Sequence, residues 1–227
     1  MPLREPQKTI RSLLAATALI VAALFLRRSP AAMRIIQPFF RFTPPMLAAI
    51  FIICIFSVYW SLEAKNSKPA ASSESKVSRL FHLTVLNGGL LLLILSVPGL
   101  TRRVLPSSPV IACLGVAIEI AGFALAICAR RALGSNWSGE VRVAAGHQLV
   151  RTGPYRLVRH PIYTAVLTMY GGVMLVSGQL HALLALILIL LAYLRKVRME
   201  ERILSEAFGD EFTAWKRDSW LLLPPVY

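Results

Sequence analysis

The reading of the fold turns on His147–Tyr163, HQLVRTGPYRLVRHPIY, a dense polar run set between two apolar blocks of membrane length. Glycine and proline fix turns within it, and histidines, tyrosines and arginines crowd around those turns. A second polar stretch, Arg195–Gly209 (RKVRMEERILSEAFG), follows the next apolar hairpin. The two stretches are expected to fold over each other at the membrane face and to form the working site.

Composition sets the surroundings. The chain of 227 residues is 56% hydrophobic and 16% charged, whereas a soluble domain carries roughly 45–50% apolar and about 25% charged residues. The apolar residues come in blocks of about 17–22, close to the ~20 that cross a bilayer as a helix. An all-α polytopic membrane protein of about six transmembrane helices is predicted, since the short alternating segments of a β-barrel are absent from the sequence. The net charge of +14 sits at the ends of the apolar blocks, where headgroups and cytoplasmic loops favour it. No basic stretch is interleaved with stacking aromatics, so nucleic acid is not expected as a partner. Cys54, Cys113 and Cys128 lie inside apolar blocks at no metal-ligand spacing and read as small hydrophobes.

In chain order, Ile10–Leu26 reads as an uncleaved first span, because Arg27, Arg28 and Pro30 replace a small-residue cleavage site. Ala31–Thr43 reads as an interfacial segment interrupted by Pro38. Pro44-Pro45 opens a second span over Met46–Leu62. Glu63–Ser78 has the composition of a flexible loop, and a third span follows over Leu80–Leu100 with His82 as an interfacial or packing residue. Val110–Ala129 is the fourth span. It carries Glu119 near its middle, either a functional carboxylate or one hydrogen-bonded between helices. Pro161–Ser177 and Leu180–Leu194 are the fifth and sixth spans, and Gly178-Gln179 between them forces an antiparallel hairpin. Asn136-Trp137-Ser138 matches a glycosylation acceptor only formally, since its loop is expected in the cytoplasm. Residues 1–129 thus supply about four N-terminal spans, and 130–227 a C-terminal core, integrated in one domain. The basic loop before the fifth span and the basic tail after the sixth share one face, predicted to be cytoplasmic. Arg27, Arg28, Arg34 and Arg41 stand on the wrong side in that scheme.

Pro161 disfavours the helical conformation for His160 yet suits a first helical position, so the fifth helix is predicted to start there with His160 as its cap. A helix start offers unpaired N–H groups to an anion, reinforced by Arg159 and His160. Thr152-Gly153-Pro154-Tyr155 is predicted to turn the chain back over that site. The sixth helix is predicted to run past the membrane to Phe208, with Gly209 ending it and Asp210 capping a last short helix through Trp215. Lys196, Glu200, Ile203 and Leu204 fall on one face of it, by the three-and-four spacing.

Together these residues carry a resemblance. Gly153, Tyr155, Arg159, His160, Pro161 and Tyr163, followed after a hairpin by Glu200, Glu201, Leu204, Phe208, Gly209, Glu211 and Phe212, resemble the isoprenylcysteine carboxyl methyltransferase and phospholipid methyltransferase superfamily. The resemblance covers roughly the C-terminal 90 residues. It implies an integral-membrane enzyme that uses S-adenosyl-L-methionine in a cytoplasmic pocket closed by the two polar stretches. It implies cofactor contacts at His147, Gln148, Leu149, Val150, Tyr155, His160, Pro161, Ile162, Tyr163 and Glu200. A substrate-side arginine of the eukaryotic enzymes falls on Lys196, with Arg195 and Arg198 nearby, and a cofactor-contacting glutamine falls near Glu140.

Lys196, Arg198 and Glu119 are the candidate catalytic residues. The expected partners are membrane lipids and a lipophilic methyl acceptor, either an isoprenylcysteine-type carboxylate or a lipid amine. A carboxylate needs no general base, whereas an amine must lose a proton, for which Glu119 or His160 is the candidate. The acceptor is expected to enter laterally between spans, and a multi-pass protein of a cell inner membrane is implied. Two other classes compete: a sterol-reductase-like membrane enzyme using a nicotinamide, and a non-enzymatic scaffold or transporter. Glu200-Glu201-Arg202-Ile203-Leu204 favours the methyltransferase over the reductase. A transporter would show polar midplane residues in several spans or an internal repeat, and chiefly Glu119 is seen.

Overall fold

The computed structural model describes residues 43–65, 75–134 and 149–223. The proposed first span, the interfacial segment up to Arg41, Asn136, Glu140, His147 and Gln148 lie outside the described residues. The elements are α1 (Pro44–Lys65), α2 (Lys76–Ile94), α3 (Pro109–Leu133), a short 3-10 turn (Gly153–Arg156), α4 (Pro161–Ser177) and α5 (Leu180–Asp218). Among the described residues there is no strand, only isolated bridges at Arg103–Gln179 and Val158–Trp220. Four of the helices (α1, α2, α3 and α5) are long and apolar enough to cross a membrane, and α4 is a shorter apolar helix. The all-helical class holds, and the chain is a membrane protein. Large apolar side chains such as Phe51, Leu80, Phe81, Val110, Ile120 and Leu191 point outward, as they do when lipid rather than water surrounds a bundle.

Proline and glycine punctuate the helices as the sequence implies. Pro109 and Pro161 each stand in the first turn, where a missing N–H costs nothing. Gly178 takes a left-handed φ of 60° to end α4. The third predicted span needs correcting at both ends. It starts at Lys76 rather than Leu80, because Ser75 caps it by accepting the Ser78 N–H at 3.2 Å. It stops at Ile94 rather than Leu100, because Leu95 turns extended ahead of Pro98 and Gly99. The supposed flexible loop therefore contributes both its edges to helices.

Helices α3 and α4 pack side by side at backbone contact. A Cβ on Gly115 would lie 2.6 Å from the Gly172 carbonyl oxygen, and one on Gly122 would lie 2.8 Å from that of Ala165. Small residues at such a seam let backbones approach and gain dispersion where lipid gives no hydrophobic drive. Helix α1 packs on α3 and α4, and α2 packs on α5. A main core of Ile50, Leu93, Met169, Val173 and Ile189 joins α1, α2, α4 and α5.

The α4–α5 turn is anchored at the end of the bundle away from His160. Leu180 N–H donates to the Arg102 carbonyl at 2.9 Å, and the Gln179 amide donates to that of Thr101 at 3.0 Å. Arg103 donates to the Leu105 and Ser177 carbonyls at 3.1 and 3.3 Å, so local carbonyls absorb a charge that a simple basic-loop rule would place on the opposite face. Gly122→Val is expected to cost about 1–3 kcal/mol by forcing α3 from α4, seen as a lower unfolding midpoint in detergent. Gly171→Ala, where an added Cβ meets nothing within 4 Å, is expected to cause no fall.

Candidate active site

The unbroken part of α5, from Leu180 to the non-helical backbone at Gly209, is about 43 Å long at 1.5 Å per residue, longer than the roughly 30 Å hydrocarbon thickness of a bilayer. The apolar half of α5 runs to Leu194, and from Arg195 the helix is charged and stands beyond the apolar layer. The antiparallel hairpin returns this charged half beside the start of α4. Sequence spacing alone thus puts Glu200 and Glu201 next to His160.

At that junction Tyr163 donates its hydroxyl to Glu200 Oε1. His160 Nδ1 stands 3.3 Å from Glu200 Oε2, and its Nε2 stands 3.6 Å from Glu201 Oε1. The second separation exceeds a hydrogen bond, and buried Nε2 has no hydrogen-bond partner among the described residues. The His160 and Tyr163 rings lie parallel within 7°, centroids 5.7 Å apart, and Tyr193 lies 4.8 Å from Tyr163. Burial works against a charged imidazole at His160, but the two carboxylates outweigh it and raise its pKa above the usual value. Burial would likewise raise Glu200, yet the bonds from His160 and Tyr163 and the Lys196 charge hold it below the ordinary range. The outcome is an ionised carboxylate faced by an imidazole and two phenol rings.

Arg159 has a different role from the one the sequence suggests. It is buried, donates from Nε to Glu201 Oε1 at 2.7 Å, and donates from its Nη1 to the carbonyls of Lys216 and Ser219. Its Nε and Nη1 are committed within the protein rather than turned toward an anion seat. Lys216 Nζ reaches Glu201 Oε2 at 2.9 Å. The C-terminal strap then lies along the start of α4. Arg159 N–H donates to the Trp220 carbonyl at 2.8 Å, His160 N–H to that of Leu221 at 3.3 Å, and the Thr164 hydroxyl to that of Leu222 at 2.6 Å. Of the helix-start N–H groups, those of Ile162 and Tyr163 are not taken up by the strap.

Below this junction sits a second small core of Ala129, Tyr155, Phe212 and Trp215, with Leu149, Val150 and Ile162 packed against it. The predicted turn forms as a 3-10 turn from Gly153, whose φ is 58°. Tyr155 is buried there, its carbonyl accepting the Trp215 indole N–H at 3.3 Å. Gly209, with a φ of 49°, breaks the long helix at a kink as the sequence predicts, and a last helical piece runs through Trp215 to Asp218. The kink lets Phe212 and Trp215 turn back onto Tyr155.

The other candidates are spread out. Lys196 is close enough to Glu200 to act on its charge. Arg198 is exposed on another face of α5, in a groove of about 370 Å³ shared with Glu201, Arg202, Ser205, Glu206 and Lys216. Glu119 is fully buried in α3 against Gly172, and neither carboxyl oxygen has a hydrogen-bond partner among the described residues. Gly172 is about 14 Å along α4 from Tyr163 by helical rise, so Glu119 is not brought to the Glu200 junction. Tyr193, Lys216 and the strap Ser219–Leu222 went unrecognised in the sequence. Only the position of Tyr193 one turn ahead of Lys196, at helical spacing, signalled its place.

Glu201 tests this clasp. Burial pushes its carboxyl up, but the nearby His160 imidazole and the bonds from Arg159 and Lys216 pull it down to about 2. A depressed carboxylate contributes stability that is complete above its unfolded value of about 4.5 and is lost as pH falls toward 2. Glu201→Gln is expected to cost on the order of 3 kcal/mol at neutral pH, because Arg159 is left buried without its charge partner. Thermal unfolding followed from pH 7 to pH 3 checks this: the wild-type midpoint should sag below pH 4.5, and the variant's should start lower and sag less.

Residues 110–211 match the model of the phospholipid methyltransferase family. That match begins at the second residue of α3, upstream of the segment that the motifs alone cover, and includes every residue of the Glu200 junction. The solved structure of the eukaryotic intramembrane Ras methyltransferase ICMT (isoprenylcysteine carboxyl methyltransferase) is similar at 15% identity, over 99% of each chain, with a TM-score of 0.49. No curated protein matches the chain. Residues 110–211, from the start of α3 to the last helical piece of α5, are thus similar to the phospholipid methyltransferase family.

Proposed function

We propose that the protein transfers a methyl group from S-adenosyl-L-methionine to a lipophilic acceptor at the cytoplasmic face of a cell inner membrane. The observation that carries this reading is the ionised Glu200, held by Tyr163 and His160 within the family-matching segment. The residues fit the cofactor's chemistry. Glu200 offers a carboxylate to an ammonium or to ribose hydroxyls, and the buried His160 Nε2 has bonding capacity to spare. The faces of Tyr155, Tyr163 and Tyr193 suit a sulfonium cation. The N–H groups of Ile162 and Tyr163 suit a carboxylate. Leu149 and Val150 would lie along the cofactor with His147 and Gln148, and Pro161 would set the helix start.

When bound, the cofactor supplies an electrophilic methyl carbon on sulfur. The protein's part is to orient that carbon toward the acceptor and keep water out, which is where the rate of an in-line displacement comes from. The second small core and the strap close the junction from below. Lys196, next to Glu200, is the candidate for steering the acceptor's polar head. Arg198, in its exposed groove, suits headgroup contact at the surface. Glu119, about 14 Å deeper by helical rise, suits the wall of a lateral path for the acceptor better than a base at the reacting atoms. The basic residues around the junction outnumber Arg102 and Arg103 at the α4–α5 turn, which supports the cytoplasmic orientation.

Calorimetry on the purified protein in detergent tests the reading. Wild-type protein is expected to bind S-adenosyl-L-methionine, with affinity falling at least about tenfold in Glu200→Ala and in His160→Ala, as loss of a charge-assisted hydrogen bond implies. Binding of a reduced nicotinamide in its place would overturn the proposal in favour of a reductase.

A further inference from the structure

Outside the family-matching segment, α2 brings one more polar group to the junction. His82 is 5% exposed, and its ring meets Tyr193 edge-on with centroids 5.6 Å apart. Tyr193 in turn packs on Tyr163 at 4.8 Å, so His82 is one ring removed from the Glu200 contact. The registry is held from both sides. Arg195 donates to the Ser78 hydroxyl at 2.7 Å and lies 5.3 Å from the centre of the Phe81 ring. The Ser78 hydroxyl also contacts Met199 sulfur at 3.7 Å. The charged groups facing the ring all come from α5: Lys196, Arg195 and Glu200.

The ring's hydrogen-bonding state follows from its contacts. It bonds the backbone at Ala192, and Nδ1 is buried with no hydrogen-bond partner among the described residues. With the proton on the nitrogen that serves Ala192, Nδ1 is a buried lone pair without a donor. An unmatched acceptor of this kind is costly. A bound molecule that brings an N–H or O–H would relieve the cost, and one without such a hydrogen would not. The exposed Leu80 and Phe81 on the same turn leave the lipid side of this position apolar, as entry of a long-chain molecule requires.

We infer that His82 is the acceptor-side contact of the site, selecting lipophilic acceptors whose polar head presents an N–H or O–H donor. The inference rests on the methyl-transfer reading above and sharpens it, because an ionised carboxylate head has no such hydrogen of its own. His82 would act by binding and orienting the acceptor, with Tyr193 carrying its position to Tyr163.

Two neutral probes, 1-dodecanol and its methyl ether, share a chain and differ in one O–H. Binding of each to the full chain in detergent, measured with S-adenosyl-L-methionine binding alongside, tests the assignment. Wild type should hold the alcohol about tenfold tighter than the ether. His82→Phe should abolish that preference, and His82→Asn should keep part of it, with cofactor affinity unchanged in both. Equal affinity of wild type for the two probes, or a preference that survives in His82→Phe, would overturn the inference. Loss of cofactor binding in His82→Phe alone is resolved by His82→Asn, where an unchanged preference would also overturn it. Absence of cofactor binding by wild type would instead sink the methyl-transfer reading, and this inference with it.

Discussion

Two adjacent carboxylates on α5 hold the site together by facing different partners. Glu200 receives Tyr163 and His160, and Glu201 receives Arg159 and Lys216. A buried carboxylate without partners would protonate or open the structure, because desolvation of the charge costs several kcal/mol. Here each charge is met by groups at the start of α4 or in the last helical piece of α5. The two ends of the C-terminal core therefore form only together. The strap Ser219–Leu222 completes the closure by taking up the Arg159 and His160 N–H groups.

That arrangement depends on the hairpin being stiff. The α4–α5 turn is pinned to Thr101 and Arg102, and α3 is set against α4 through Gly115, Gly122 and Gly172. With little freedom in the helices, the relative height of His160 and Glu200 is set by the turn at Gly178 and by helical rise. The preorganisation that a displacement reaction would need is thus available from the apolar part of the fold.

Much of this was readable in advance. Pro161, Gly178 and Gly209 announce their roles because proline and glycine have few alternatives. The hairpin and the Glu200–His160 meeting follow from apolar block lengths, and the family-matching segment was announced by motifs on both sides of that hairpin. The duties of Arg159 were not readable. An arginine beside a helix start looks like an anion ligand until the chain shows that Glu201 and the Ser219 carbonyl, 42 and 60 residues away, already hold it. The depth of Glu119 relative to the junction was hidden for the same reason, since it depends on how α3 slides along α4. Local composition misled at Ser75–Ser78, where a single capping serine outweighed a loop-like run.

The central claim is that the start of α4 and the charged half of α5 form one methyl-donor site. Direct ultraviolet crosslinking of S-adenosyl-L-methionine carrying a labelled methyl group, followed by peptide mapping, tests it most directly. Label in peptides spanning 149–163 and 195–204, competed away by S-adenosylhomocysteine, is the expected result. Competable label confined to other peptides, or no competable label, would contradict the account.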